Sequence, residues 1–129
     1  MATFTGYFSA YKGGSRIEDY AQLLTAETSN AAGEWIDMQG VTHASYEIKG
    51  VGSGTISFWG SNAITAPLTT DDTEDQYGIL TSGATLVKTA GADGIFNIPS
   101  YLMPRWVRME LAASSSTCTV NLKRVRYVG

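Results

Sequence analysis

The chain has 129 residues, 43% of them hydrophobic and 16% charged, with a formal net charge of −3 and one cysteine. That length suits a single domain able to bury a core of its own, and hydrophobicity at this level with little charge excludes a disordered chain. Cys118 can form no internal disulfide, and its alternating neighbours in TCTVNL mark it as a small buried hydrophobe.

The first residues, MATFTGYFSAYKGG, lack a basic start followed by an apolar run and so do not read as a signal peptide. No apolar segment approaches the roughly 20 residues that cross a bilayer. The expectation is a protein folded in a cytoplasm, without a membrane partner. TFTGYFSAY reads as a strand ahead of a Gly13-Gly14 hinge. Residues 1–14 are then either an edge strand or an arm that adds to a neighbouring subunit, and residues 15–129 form the domain. In SRIEDYAQLL, Ser15 and Glu18 have capping-box spacing and Ile17, Tyr20, Ala21 and Leu24 share a helical face. This predicts one short helix, although the same leucines also suit a strand leading toward Trp35.

From there strand periodicity dominates. EWIDMQ is a short strand, and HASYEIKG sets Ala44, Tyr46 and Ile48 against His43, Ser45, Glu47 and Lys49. Gly50-Val51-Gly52-Ser53-Gly54 has the length of a hairpin connection into GTISFWGS. There Phe58 continues the inward row of Ile56, and Trp59 projects outward with Thr55 and Ser57. An outward Trp serves a partner surface or lies beneath a loop. APLTTDDTEDQYGIL is the longest turn-rich insertion, expected at one end of the domain, and ATLVK and GIFNI are short strands. PRWVRMELA sets Val107, Met109 and Leu111 against Trp106, Arg108 and Glu110; Ser114-Ser115-Ser116 reads as a hairpin turn into TCTVNLKRVRYV. Seven to nine short strands with Gly-rich turns predict an all-β chain, a single antiparallel β-sandwich of jelly-roll or immunoglobulin type. Tyr46, Phe58 and Trp35 fall to its core.

Little in the chain suggests chemistry. His43, the one histidine, sits on the polar side of a strand with no nucleophile motif nearby. Ser9-Ala10-Tyr11-Lys12 matches S-x-x-K, but in a strand and without the companion elements. One His and one Cys cannot assemble an ordinary zinc site. Asp71, Asp72, Glu74 and Asp75 lack EF-hand spacing and read as a solvated loop rather than a calcium site. The Gly50–Gly54 run has no following helix and cradles no phosphate. No catalytic, cofactor or metal residue is assigned, and the chain is read as a non-enzyme. Seven Tyr and three Trp keep a glycan-binding module open as an alternative.

Charge is uneven. Residues 105–129 hold Arg105, Arg108, Lys123, Arg124 and Arg126 against Glu110 alone, a net of +4, while residues 1–104 carry −7. Such segregation fits head-to-tail contact between copies or an acidic protein partner. Nucleic acid is disfavoured, because the rest of the domain would repel it.

Gly33-Glu34-Trp35, Gly60-Ser61-Asn62, Arg105-Trp106-Val107-Arg108 and the Ser/Thr-rich segment Ser114 to Leu122 together resemble small β-sandwich virion proteins of tailed bacteriophages. The resemblance covers residues 23–62 and 101–125. It departs where Asn62 is followed by Ala63-Ile64, since related chains often carry Asn-Asp-Gly there. The resemblance implies a viral structural protein of the virion that binds and does not catalyse. Its expected form is a capsid decoration (cement) protein, a homotrimer on the outside of the head that holds the major capsid protein shell together. A tail or neck component is the alternative. The contact residues this reading singles out are Phe4, Tyr7, Phe8 and Tyr11 in the N-terminal stretch, the aromatics Trp59 and Trp106, and Arg105, Arg108, Arg124 and Arg126, since Arg pairs well with acidic patches.

Overall fold

The computed structural model describes residues 5–11, 14–65, 67, 75–76, 78–80 and 86–128. Seven strands of five to fourteen residues carry the fold: β1 Thr5–Tyr11, β2 Gly14–Glu27, β5 Val41–Lys49, β6 Thr55–Ser61, β11 Gly94–Ile98, β12 Trp106–Ala112 and β13 Cys118–Val128. Six two-residue strands fill in between them: β3 Ala31–Ala32, β4 Ile36–Asp37, β7 Asp75–Gln76, β8 Ile79–Leu80, β9 Leu86–Val87 and β10 Thr89–Ala90. Sheet A runs β1-β2-β13-β5-β11-β8-β9, and sheet B runs β10-β6-β12-β3 with β4 also on β12 and β7 also on β6. All pairings are antiparallel. The result is the all-β sandwich that the alternation implied.

The core lies between the sheets, where the inward rows meet. Ala44, Tyr46 and Ile48 of β5 and Val120 and Leu122 of β13 face Ile56 and Phe58 of β6 and Val107, Met109 and Leu111 of β12. Phe58 joins the layers. Its ring centroid lies 5.2 Å from Tyr46 and 6.4 Å from Phe96, two residues that oppose each other in sheet A. Tilted rings at such spacings attract each other beyond the area they bury. Cys118 belongs to the same core, and burial pushes its thiol pKa up.

The helix predicted over residues 15–24 is a strand. β2 pairs with β1 on one side and β13 on the other, so Ser15 lies opposite Ala10 and Val128, and Leu24 opposite Val120. A ten-residue helix has little stability of its own in water, and two flanking ladders engage the same backbone groups more fully. The strand's inward row was disguised by Asp19, a charged residue in the position of a core residue, and by a register shift opposite Val120.

Two expected hairpins are crossovers. Gly50–Gly54 leaves β5 in sheet A and enters β6 in sheet B, while Ala113–Thr117 leaves β12 in sheet B and enters β13 in sheet A. The two connections lie against each other and close one end of the sandwich. Thr117 N donates to Gly50 O at 3.1 Å and Ser53 N to Ser114 O at 3.2 Å. Buried Ser116 donates its hydroxyl to Val51 O at 2.7 Å. Asp93, just before β11, accepts from Gly50 N and Val51 N, each at 3.0 Å.

The other strand expectations fared unequally. GIFNI is β11, ATLVK yields β9 at Leu86–Val87, and EWIDMQ reduces to β4 at Ile36–Asp37. Most of APLTTDDTEDQYGIL, including Asp71, Asp72 and Glu74, lies outside the described residues, while Asp75 begins β7.

Candidate protein-interaction surface

The basic C-terminal segment is largely matched inside the molecule. Arg124 and Arg126 point inward from β13 onto Asp19 of β2, with N–O distances of 3.2 and 2.9 Å, and Asp19 is 5% exposed. Arg124 also donates to the backbone oxygen of Asp37 at 2.7 Å, tying β4 to sheet A. Burial lowers the pKa of the Arg124 guanidinium, partly offset by Asp19. Arg105 reaches Asp37 Oδ2 at 3.3 Å and Gln39 Oε1 at 3.2 Å, and its guanidinium lies 4.6 Å from the centre of the Trp106 ring. These pairs join the +4 and −7 portions of the chain, so the segregation of charge along the sequence is reduced in space.

Arg108 departs furthest from its expected role. Strand alternation does turn it away from the core, but it is 4% exposed. It pairs with Glu110 at 2.7 Å, and its guanidinium lies 5.2 Å from the centre of the Trp35 ring. Trp35 thus covers the outer face of sheet B instead of filling the space between the sheets. Trp59 lies beside this pair, opposite Arg108 on β12 and Gln76 on β7. It points outward as expected and is half-buried, with no hydrogen-bond partner for its indole N–H among the described residues. The half-buried Trp106 donates its indole N–H to Ala63 O at 3.0 Å. Asn62 Oδ1 accepts from Arg105 N at 3.1 Å, so the divergent Asn62-Ala63-Ile64 turn is docked on β12.

Of the N-terminal residues, Phe4 lies outside the described residues. Tyr7, Phe8 and Tyr11 belong to β1, where they oppose Glu18, Ile17 and Gly14 of the same chain. β1 thus lies at the edge of sheet A in its own chain.

Among the described residues, a broad open surface is the outer face of sheet A, which no sequence motif marks. Register aligns two rows across four strands. Tyr20, Lys123, Ser45 and Asn97 form one, and Gln22, Asn121, Glu47 and Ile95 the other. A groove of about 650 Å³ lies over them, and a second hollow of about 350 Å³, reaching His43, Arg16 and Tyr127, shares Ser45 and Lys123 with it. Its apolar groups are unusually accessible: Ile95 is 57% exposed, Tyr127 45% and Tyr20 37%. Polar groups are interleaved with them. Asn121 Nδ2 donates to Glu47 Oε1 at 3.2 Å, and the Tyr20 hydroxyl donates to Glu18 at 2.8 Å. The Tyr20 hydroxyl and then the Arg16 guanidinium hold the Glu18 carboxyl below its ordinary pKa. His43 is exposed at the margin, its Nδ1 3.1 Å from Thr42 Oγ1. In the sequence Tyr20 also fits a helical face with Ile17, Ala21 and Leu24, which hides its place in an outward strand row. Among the described residues no three His, Cys, Asp or Glu side chains are grouped to hold a metal ion. The arrangement offers rigid aromatic and amide contacts on a flat support, which suits association.

No family model and no curated protein sequence matches the chain. The fold recurs in solved structures, among them two phage-related proteins named YomS and XepA. The SPBc2 prophage-derived protein YomS superposes with a TM-score of 0.69 at 13% identity, over 85% of this chain and 94% of YomS. The PBSX exported protein XepA gives a TM-score of 0.69 at 16% identity, again over 85% of this chain but only 38% of XepA. The same sandwich therefore makes up nearly all of one prophage-derived protein and part of a longer one.

Proposed function

We propose that this chain is a structural protein of a tailed-phage particle that acts by binding other proteins, and that it decorates the outside of the head by contact with the major capsid protein. The observation that carries the reading is the shared sandwich, which spans 94% of a prophage-derived protein of similar size. The sequence resemblance to virion sandwiches points the same way. The contact surface in this proposal is the outer face of sheet A around Tyr20, Ile95 and Tyr127, because exposed aromatic and apolar groups among hydrogen-bonding neighbours are typical of interface centres. Arg105 and Arg126, with side chains 28% and 38% exposed, lie off this face, Arg105 beside sheet B against Asp37 and Arg126 turned inward onto Asp19.

The test is co-sedimentation of the purified protein with expanded, undecorated heads of the phage whose genome encodes it. Saturation at a fixed copy number per capsomer, weakened at least tenfold by Tyr20→Ala with Ile95→Ala, is the expected result. Saturable binding that both substitutions leave intact rejects the assigned face, and absence of binding rejects decoration.

A second reading, a tail component that binds glycan, is favoured by the groove over Tyr20, Gln22, Asn121 and Glu47. An aromatic ring beside amide and carboxylate groups suits a sugar. Glycan-array binding that disappears with Tyr20→Ala would move the proposal to that reading.

A further inference from the structure

β1 ends sheet A, and no described strand pairs with its outer side. Its seven residues, Thr5-Gly6-Tyr7-Phe8-Ser9-Ala10-Tyr11, contain neither charge nor proline. Its ladder with β2 runs from Thr5↔Tyr20 to Tyr11↔Gly14 without a register shift, whereas β13 is interrupted against both of its neighbours. Natural proteins blunt exposed edges with lysine, proline, bulges or short strands. This edge has none of them. Its outer row of N–H and C=O groups is a template for another strand.

The length of the edge argues for the occupant. The other described edge strands, β9 in sheet A and β3, β4, β7 and β10 in sheet B, are two residues long and cannot cover a seven-residue ladder. The β1 of a second molecule matches the length, runs antiparallel under a two-fold axis, and brings no like charges into opposition. We infer that a second copy of this chain pairs its β1 with this one, joining two copies of sheet A into a continuous sheet across a two-fold axis. The inference does not rest on the particle reading. It makes self-association two-fold, where the resemblance to decoration proteins implies a trimer.

Consecutive strand residues direct their N–H groups to opposite sides. Of Ser9 and Ala10, one therefore donates toward β2 and the other toward the open edge. The experiment is sedimentation equilibrium of the full chain and of Ser9→Pro and Ala10→Pro, combined with hydrogen exchange of β1 amides across a dilution series. The unmodified chain should be a dimer whose edge-facing β1 amides exchange faster on dilution. One proline variant should keep the circular dichroism and melting of the unmodified chain while dimerising at least tenfold more weakly, because proline removes an edge donor without disturbing the β2 ladder. A monomer at all concentrations, a trimer, or a dimer that survives in every folded variant overturns the inference. If neither variant folds, exchange in the unmodified chain decides, and β1 protection independent of dilution overturns it.

Discussion

Gly40 and Gly50 have nearly the same positive φ, 76° and 75°, in opposite surroundings. A Cβ on Gly40 meets nothing within 4 Å, whereas one on Gly50 falls 2.2 Å from Thr117 O, inside the paired crossovers. Gly40→Ala should therefore cost only the left-handed backbone preference, about 1–2 kcal/mol. Gly50→Ala should exceed it by about 1–3 kcal/mol, the usual cost of overpacking. Urea unfolding of both variants measures the difference, and equal losses would mean that the crossovers do not pack as described. Asp93 serves the same corner from the other side. Accepting from Gly50 N and then Val51 N lowers the pKa of its carboxyl. A lowered carboxyl stabilises the fold above its unfolded pKa of about 3.9, and that contribution is lost as pH falls through the folded value. Asp93→Asn should melt below the unmodified chain at pH 7, and the gap should narrow below about pH 4. A gap independent of pH would remove the charge from the explanation.

One carboxylate connects β2, β13 and β4 in addition to their backbone ladders. Asp19 takes both Arg124 and Arg126, and Arg124 continues to the backbone of Asp37. Removing one partner of a buried pair leaves an uncompensated charge, so Asp19→Ala should cost about 3–5 kcal/mol. Arg126→Ala, which removes a half-exposed partner and leaves Arg124 in place, should cost about 0–1 kcal/mol. Chemical denaturation distinguishes these, and comparable losses would show that Arg126 is the essential partner. The same cluster explains why β2 was hard to read. An inward row of Ile17, Asp19 and Ala21 breaks the apolar alternation, while Ile17, Tyr20, Ala21 and Leu24 imitate a helical face. β5, β6 and β12 were legible because their inward rows are uniformly apolar, and β13 because Cys118, Val120 and Leu122 begin its inward row before Arg124 and Arg126 break it. The partners of those strands were less so. A Gly- or Ser-rich connection of about five residues joins neighbours in one sheet or crosses to the other, and local sequence does not distinguish the two. Here Ser116 and Asp93, distant in sequence from Gly50–Gly54, hold the crossing.

At the scale of the whole molecule, sandwich class followed from strand periodicity, but the candidate surface did not. The arginines stood out as a charged run, yet their partners Asp19, Asp37 and Glu110 are set by the fold, and Arg108 and Arg124 are largely enclosed. The outer face of sheet A draws Tyr20, Asn121, Glu47 and Ile95 from four strands, a juxtaposition that only pairing order reveals. Both proposed roles would use the surfaces of a sandwich whose fold is shared with the SPBc2 prophage-derived protein YomS and the PBSX exported protein XepA. Electron cryo-microscopy of particles produced by the encoding genome tests this most directly. The expected result is the sandwich at a regular copy number on the outside of the head, with the Tyr20–Ile95 face of sheet A against the shell. Purified particles that lack the chain altogether would contradict it.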